Sequence, residues 1–527
     1  MSSQLVLIDG QWRPAESTDT FCAHNPQTGE TIPEAYPISK WQDCEMALDA
    51  TTTAADQLKK LPAEQIATFL ENFASQIENR SEALVETAHQ ETALPKAPRL
   101  ANVELPRTTH QLRLAAAATR DGSWTTATID TKAGIRSHYG PLGPVCVFGP
   151  NNFPFAFGSV SGGDAAAALA AGNPIIGKAN SSHPATTRLF AEAALDAIQA
   201  TDMPPATVQL IYRLSHSDGE RLVADPRNGA TGYTGSRSAG LKLKAAADKV
   251  GKPIYLELSS VNPVFILPGA VSERGNEIAD ELAASGLMGT GQFCTSPGIA
   301  VLMAGEQTDG FLDRLQQQYQ SAPAGILLSK SVQENLVASI HVLEQEGAQK
   351  LAAGTATAPS GYSCPNTLLK LTGSDYLQAS ETFQTEAFGN CSLVIVADNE
   401  EQAAKIVSSF EGNLTGCIYS DSQGADDGAY DRLAAQLRTR VGRLLNDKMP
   451  TGVAVSAAMN HGGPFPATGH PGFTAVGIPA SIHRFAALHC YDNVRNHRLP
   501  TCLRDKNPNG AMWRHVDGNW TQSDVPA

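Results

Sequence analysis

From Gly143 the chain repeats one pattern that few folds can accommodate: a short apolar run, a break, then a helical stretch. Gly143-Pro144-Val145-Cys146-Val147-Phe148-Gly149-Pro150 reads as a buried strand closed by Gly-Pro, followed by a small-residue helix over 162–171. Residues 173–178 are the next strand and 184–200 the next helix. A strand over 208–212, a helix over 218–223 and a strand over 229–236 continue the series. Strands alternating with helices require a parallel α/β sheet. Such sheets bind ligands outside the carboxyl ends of their strands, where the distinctive polar residues of this region cluster.

The N-terminal part reads differently. Residues 5–12 form a strand, and Asn25-Pro26-Gln27-Thr28-Gly29-Glu30 is a turn. Helices follow over 63–77, over 81–90 with Ser81 as N-cap, and over 103–119, the last broken by Asp121-Gly122-Ser123. After Pro263 a second region alternates helices with strands such as 298–303 and 392–397. Residues 352–365, rich in Gly, Ala, Ser and Thr, read as a surface excursion. Pattern assigns no structure to the mixed polar tail after Ile478.

A chain of 527 residues exceeds one ordinary core and implies roughly three domains. Its net charge of −14 argues against a nucleic-acid or anionic-membrane surface. Nine cysteines lack paired metal-type spacing, and nine is odd, so neither a disulfide framework nor a metal cluster is expected. Together with a start lacking a basic secretory segment and with apolar runs too short to span a bilayer, this points to the cytoplasm.

Chemistry-bearing residues occur in five stretches. Leu287-Met288-Gly289-Thr290-Gly291-Gln292-Phe293-Cys294 sets one cysteine among small residues, where Cys294 could attack a carbonyl and its own N–H face the resulting oxyanion. Taken singly, it reads as a buried structural thiol. Asn152, after a strand, offers an amide to the same oxyanion or is a turn residue. Glu257 ends the apolar strand Tyr255-Leu256-Glu257. A partly desolvated carboxylate there suits a general base, and a salt-bridged strand end is the alternative. Thr234-Gly235-Ser236-Arg237 is a strand-to-helix turn whose N–H groups could hold phosphate, though it is not a GxGxxG. Glu386 and Phe388 match a ribose diol and a flat ring, or are a loop acid beside a core aromatic.

Taken together and in order, Asn152-Phe153-Pro154, Lys178, Thr234-Gly235-Ser236, Glu257, Gly291-Gln292-Phe293-Cys294 and Glu386-Ala387-Phe388-Gly389 resemble the aldehyde dehydrogenase superfamily over nearly the whole chain. Glu104-Leu105-Pro106-Arg107-Thr108-Thr109, Leu258-Ser259-Ser260-Val261-Asn262-Pro263 and His461-Gly462-Gly463-Pro464-Phe465-Pro466 resemble its NADP-dependent branch, which includes 2-oxoglutarate semialdehyde (2,5-dioxovalerate) and bacterial fatty-aldehyde dehydrogenases. Two positions depart from the common pattern: Asn151 replaces a tryptophan, and Ser259-Ser260 replaces a glycine pair, the latter as usual in the branch.

The resemblance implies Cys294 as nucleophile, Asn152 as oxyanion donor and Glu257 as base for thioester hydrolysis. It also implies cofactor contacts from Lys178, Thr234, Gly235, Ser236, Glu386 and Phe388. Many NAD-using relatives carry a glutamate three residues after the lysine, where Ser181 stands here. Without that acid, Lys178, the serines and Arg213 can take a 2′-phosphate, so NADP is expected as the preferred cofactor and NAD as tolerated. His461 is read as a thiol-activating or a structural residue. The family fold implies a Rossmann-like dinucleotide-binding domain (1–122 and 140–262), an α/β catalytic domain (263–478) and an oligomerisation element (123–139 and 479–527), with a hairpin near 123–138 pairing a strand near 481–491. A homodimer or homotetramer acting on a small-molecule aldehyde follows. The substrate alternatives are oxo-acid, fatty and aromatic aldehydes; a coenzyme A-acylating enzyme and a catalytically silent protein on this fold are the rivals, against which Glu257 and the intact Cys294–Asn152 pair argue.

Overall fold

The computed structural model describes residues 3–354 and 360–526. Among them the strands form two seven-stranded sheets, a five-stranded sheet and a two-stranded ladder. The first large sheet carries the alternating region. Val145–Phe148 pairs in parallel with Ile175–Lys178 on one side and Ala230–Thr234 on the other; Val208–Ile211 and Ile254–Glu257 extend it outward. Val145–Phe148 and Val208–Ile211 are buried at every residue, as parallel strands covered on both faces must be. One cover is the alanine-rich helix Gly163–Ala170, buried throughout. Small residues let it approach closely: a Cβ on Gly163 would lie 2.5 Å from the Ala475 carbonyl oxygen.

The second large sheet is built on Val264–Ile266, Ile299–Met303, Cys391–Ala397 and Asn413–Tyr419, again parallel. Helices Pro268–Leu287, Thr308–Ser321 and Lys330–Gln345 accompany it. Each sheet has its own apolar core, and burying a Leu, Ile, Val or Phe side chain in such a core contributes about 1.5–3 kcal/mol.

The polar tail is structured. Ala486–Asp492 pairs antiparallel with Ile135–Pro141, which pairs with Thr128–Asp130, and Arg514–Val516 and Asn519–Thr521 complete the five-stranded sheet. Strand Ala486–Asp492 alternates exposed and half-buried residues over most of its length, so hydrophobic periodicity is weak there.

Four sequence expectations change. Residues 5–12 are not one strand but a hairpin, Val6–Ile8 with Gln11–Arg13. Asp9 and Gly10 both take positive φ, the two-residue turn that an Asp-Gly pair favours. Ser81 is the first helical residue, not the cap: Arg80 holds that position, and its carbonyl accepts from Leu84 N–H at 2.9 Å. Helix Leu105–Asp121 is preceded by a wider helical coil, Lys96–Glu104, that the pattern over 103–119 did not show. The excursion expected over 352–365 begins inside strand Gln349–Ala353, and residues 355–359 lie outside the described ones.

Candidate active site

Cys294 follows a left-handed turn. Gly289, Thr290 and Gly291 have φ of 57°, 60° and 67°. Threonine is β-branched and takes this conformation at a cost of about 1–3 kcal/mol, so the loop must be held from outside. Gln292 does much of this: its side chain donates to the Gly289 and Ile326 carbonyls and accepts from Leu328 N–H. Asn262 donates to the Cys294 and Ser296 carbonyls, both at 2.9 Å. Gly291 meets the loop of Glu386 backbone to backbone; a Cβ there would lie 2.0 Å from the Gly389 carbonyl oxygen.

Three titratable groups meet at the thiol. His461 Nε2 lies 2.9 Å from Glu257 Oε1 and 3.5 Å from Cys294 Sγ. Glu257 and His461 are each 1% exposed, and Glu257 Oε2 has no hydrogen-bond partner among the described residues. One imidazole nitrogen therefore faces both acid and thiol. Burial pushes the Cys294 thiol well above its usual range, and the Glu257 carboxylate adds to the effect; the Arg107 guanidinium opposes it. The resting thiol is thus neutral, and attack requires proton removal. Atoms of Glu257, Cys294 and His461 lie within 4.8 Å of one another, a ligand set that also suits a zinc ion. Spacing did not show this set, since its members come from three distant segments.

Asn152 is buried beside the thiol loop, its amide donating to the Gln292 carbonyl at 3.0 Å and its own carbonyl accepting from Arg99. That amide has a second proton available.

Asn152, Glu257 and Cys294 line one end of a cavity of about 490 Å³. Lys178, Thr234, Gly235, Ser236, Glu386 and Phe388 line the rest, with Asn151 in the wall. Ser236 is at the N-cap position of helix Arg237–Asp248, whose free N–H groups and dipole favour an anion. Burial, with the Arg213 charge second, lowers the Lys178 ammonium to about 8. Burial raises Glu386 to about 7, against hydrogen bonds from Ser259 and from Ser260 N–H. Ser181 and Arg213 are not in this cavity. They line an adjoining one of about 280 Å³ with Ser182 and Lys330, and Ser331 is common to both walls.

Sequence reading passed over Asn180, Tyr233, Asn335 and Ser331 in the wall of the larger cavity. For Ser331 a signal existed: Ser329 caps helix Lys330–Gln345, accepting from Val332 N–H, which aims the first turn at the cavity.

A cavity with an anion-binding helix N-terminus, a flanking lysine, a carboxylate for a diol and an aromatic ring fits a nicotinamide dinucleotide ending at a thiol. Residues 12–463 match the model of the aldehyde dehydrogenase family. The chain belongs to the aldehyde dehydrogenase family. Among curated relatives, "Alpha-ketoglutaric semialdehyde dehydrogenase 2" of Azospirillum brasilense is 37% identical, over 95% of this chain and 97% of the relative. "Alpha-ketoglutaric semialdehyde dehydrogenase" of Acinetobacter baylyi is 36% identical over 98% of each. Solved aldehyde dehydrogenases have the same fold. Lactaldehyde dehydrogenase from Escherichia coli superposes with a TM-score of 0.80 at 23% identity, over 93% of this chain and 98% of that one. A Pseudomonas syringae aldehyde dehydrogenase C variant complexed with NAD+ and octanal gives 0.79 at 18%, over 94% and 98%. The protein is thus an aldehyde-oxidising enzyme that uses a nicotinamide dinucleotide. No helix among the described residues is long and apolar enough to cross a membrane.

Proposed function

We propose that this aldehyde dehydrogenase oxidises 2-oxoglutarate semialdehyde to the dicarboxylic acid, with NADP preferred and NAD tolerated. The observation that carries the reaction is the single cluster of Cys294, His461 and Glu257 at the end of the dinucleotide-sized cavity. The substrate is supported by the two relatives of that activity at 36–37% identity over nearly full length.

In this reading Cys294 Sγ bonds to the aldehyde carbon, and its proton passes to the His461–Glu257 pair. The aldehyde oxygen takes negative charge and is stabilised by the Asn152 amide and the Cys294 N–H. The dinucleotide, when bound, supplies the hydride acceptor. What remains on Cys294 is a thioester. Once that first proton has left to solvent, Glu257, with one oxygen unpartnered among the described residues, takes a proton from water, whose hydroxide adds to the acyl carbon; the C–S bond then breaks, the departing thiolate takes the proton back from Glu257, and the acid leaves. His461 serves as the thiol-activating residue, and the pH–rate profile of His461→Ala is its check. Glu386 accepts from ribose hydroxyls, Phe388 supports the ring, and Lys178 with Thr234, Gly235, Ser236, Ser181 and Arg213 holds the phosphates.

We assign residues 1–122 and 140–262 to the dinucleotide domain, 263–478 to the catalytic domain, and 123–139 with 479–527 to an element that joins protomers into a homodimer or homotetramer. The nine cysteines, all unpaired, support a reducing compartment such as the cytoplasm.

The test is reduced-cofactor formation by the purified enzyme on 2-oxoglutarate semialdehyde, aliphatic aldehydes of graded length and an aromatic aldehyde, each with NADP and NAD. Highest kcat/KM for the oxo acid with NADP supports the reading. Preference for a long aliphatic chain would replace the substrate, and coenzyme A-dependent turnover would replace the reaction.

A further inference from the structure

Arg107 is placed where a cation is costly. It sits in the first turn of helix Leu105–Asp121, where the helix dipole favours acids. Its guanidinium carbon is 5.1 Å from the centre of the Phe157 ring and 5.9 Å from that of Phe153, both in a small apolar cluster with Phe473, Ala475 and Val476. The other face of that cluster is the catalytic one: the Phe157 and His461 rings are 5.6 Å apart, and Phe153 meets Phe293, the residue before Cys294. Nη1 donates to the Val453 carbonyl at 3.0 Å. Nε and Nη2 are buried and have no partner among the described residues.

Those two nitrogens form the side-on edge of the guanidinium, whose parallel N–H bonds match the two oxygens of a carboxylate. Of the neighbouring arginines, Arg99 has an unpartnered Nε among the described residues but keeps both terminal nitrogens bonded. Arg99 pairs with Glu104 and donates to the Asn152 carbonyl; Arg443 donates to the Pro450 and Gly452 carbonyls. Glu104, the acid nearest to Arg107 along the chain, is spent on Arg99 and on the N–H groups of Phe155 and Ala156. A buried bidentate donor edge without a partner among the described residues, close to a reaction centre, is a cost that an anionic ligand would offset.

We propose that Arg107 anchors a carboxylate at the end of the substrate remote from the aldehyde, so that the preferred substrates are ω-oxo acids. This rests on the reading of the site as an aldehyde-oxidising one and gives a residue-level cause for its substrate class. Arg107 is a specificity residue: it binds the far end of the substrate while Cys294 attacks the near end.

The experiment compares 5-oxopentanoate with pentanal, equal in carbon number and differing in the carboxylate, for wild type, Arg107→Met and Arg107→Lys. The Arg107 charge also lowers the Cys294 thiol, so its loss weakens attack on both aldehydes. The ratio of the two kcat/KM values removes that shared effect. In wild type the ratio favours the oxo acid; in Arg107→Met it falls by on the order of 10²–10³, and Arg107→Lys recovers part of the loss. Glutarate raises the melting temperature of wild type but not of Arg107→Met, while the ligand-free variant melts no lower than wild type. An unchanged ratio, or a ligand-free variant that melts well below wild type, overturns the proposal. Wild type that oxidises both aldehydes without preference refutes the substrate class but leaves aldehyde oxidation standing; wild type that oxidises neither refutes the reading beneath it.

Discussion

At the thiol end of the cavity, Cys294, His461 and Glu257 crowd within 4.8 Å, the acid and the imidazole almost dry and the thiol half-buried. At the other end, Lys178 and the Thr234-Gly235-Ser236 turn are spread along an open wall, with Ser181 and Arg213 in an adjoining cavity. The thiol end brings nucleophile, imidazole and carboxylate into direct contact, through burial and short distances. The cofactor end offers many moderate contacts over a long ligand. Changes at the first should therefore act steeply on chemistry, and changes at the second should act gradually on binding.

The largest effect is expected from Cys294→Ser. A serine in so desolvated a place is a poor nucleophile, and reduced-cofactor formation should fall by on the order of 10⁴ or more. Glu257→Gln should separate the two halves of the reaction. Thioester formation then gives a burst of reduced cofactor close to one per site, followed by steady turnover lowered by about 10²–10³. Loss of the burst as well would show that the acid is already needed for thiol attack.

At the cofactor end, Ser181→Glu sets a negative charge against a 2′-phosphate. The ratio of kcat/KM for NADP over NAD should drop by roughly 10–10² while the oxidation of aldehyde with NAD persists, since repulsion at a few ångström near the surface is a matter of a few kcal/mol. An unchanged ratio would remove this residue from cofactor choice. The smallest effect is one of pH. Burial raises Glu386 to about 7, so its ionised, hydrogen-bond-accepting form grows as pH rises from 6 to 8. Cofactor affinity should tighten by up to about tenfold over that interval and stay flat in Glu386→Gln, as measured by fluorescence titration. Above pH 8 the Lys178 ammonium, lowered to about 8, loses charge and the trend for NADP should reverse.

The parallel sheet was legible because strands buried on both faces must be continuous apolar runs, and Val145–Phe148 has no other reading. The hairpin at residues 6–13 was not, because alternation across Asp9-Gly10 does not betray the reversal and the turn signal of that dipeptide was passed over. The strand Ala486–Asp492 escaped the hydrophobic pattern because Leu488 and Cys490 are exposed, and only the family resemblance suggested a strand near 481–491. In the site, motif order drew attention to the residues that now share a cavity, but no spacing could say that the imidazole at 461 touches the carboxylate at 257, 204 positions earlier. Arg107 stood inside a quoted motif with no role, because an unpaired nitrogen is a property of the fold and not of a sequence.

Gly291 and Gly389 lie backbone against backbone, and a Cβ on Gly389 would come within 2.5 Å of Leu336 in helix Lys330–Gln345. The thiol loop, the loop of Glu386 and Phe388, and the helix whose first turn borders the cavity thus have no slack between them. In mechanical terms the two loops are coupled where their backbones touch: a side chain larger than hydrogen at residue 291 would have to push the loop of Glu386 and Phe388 away from the loop that carries the sulfur.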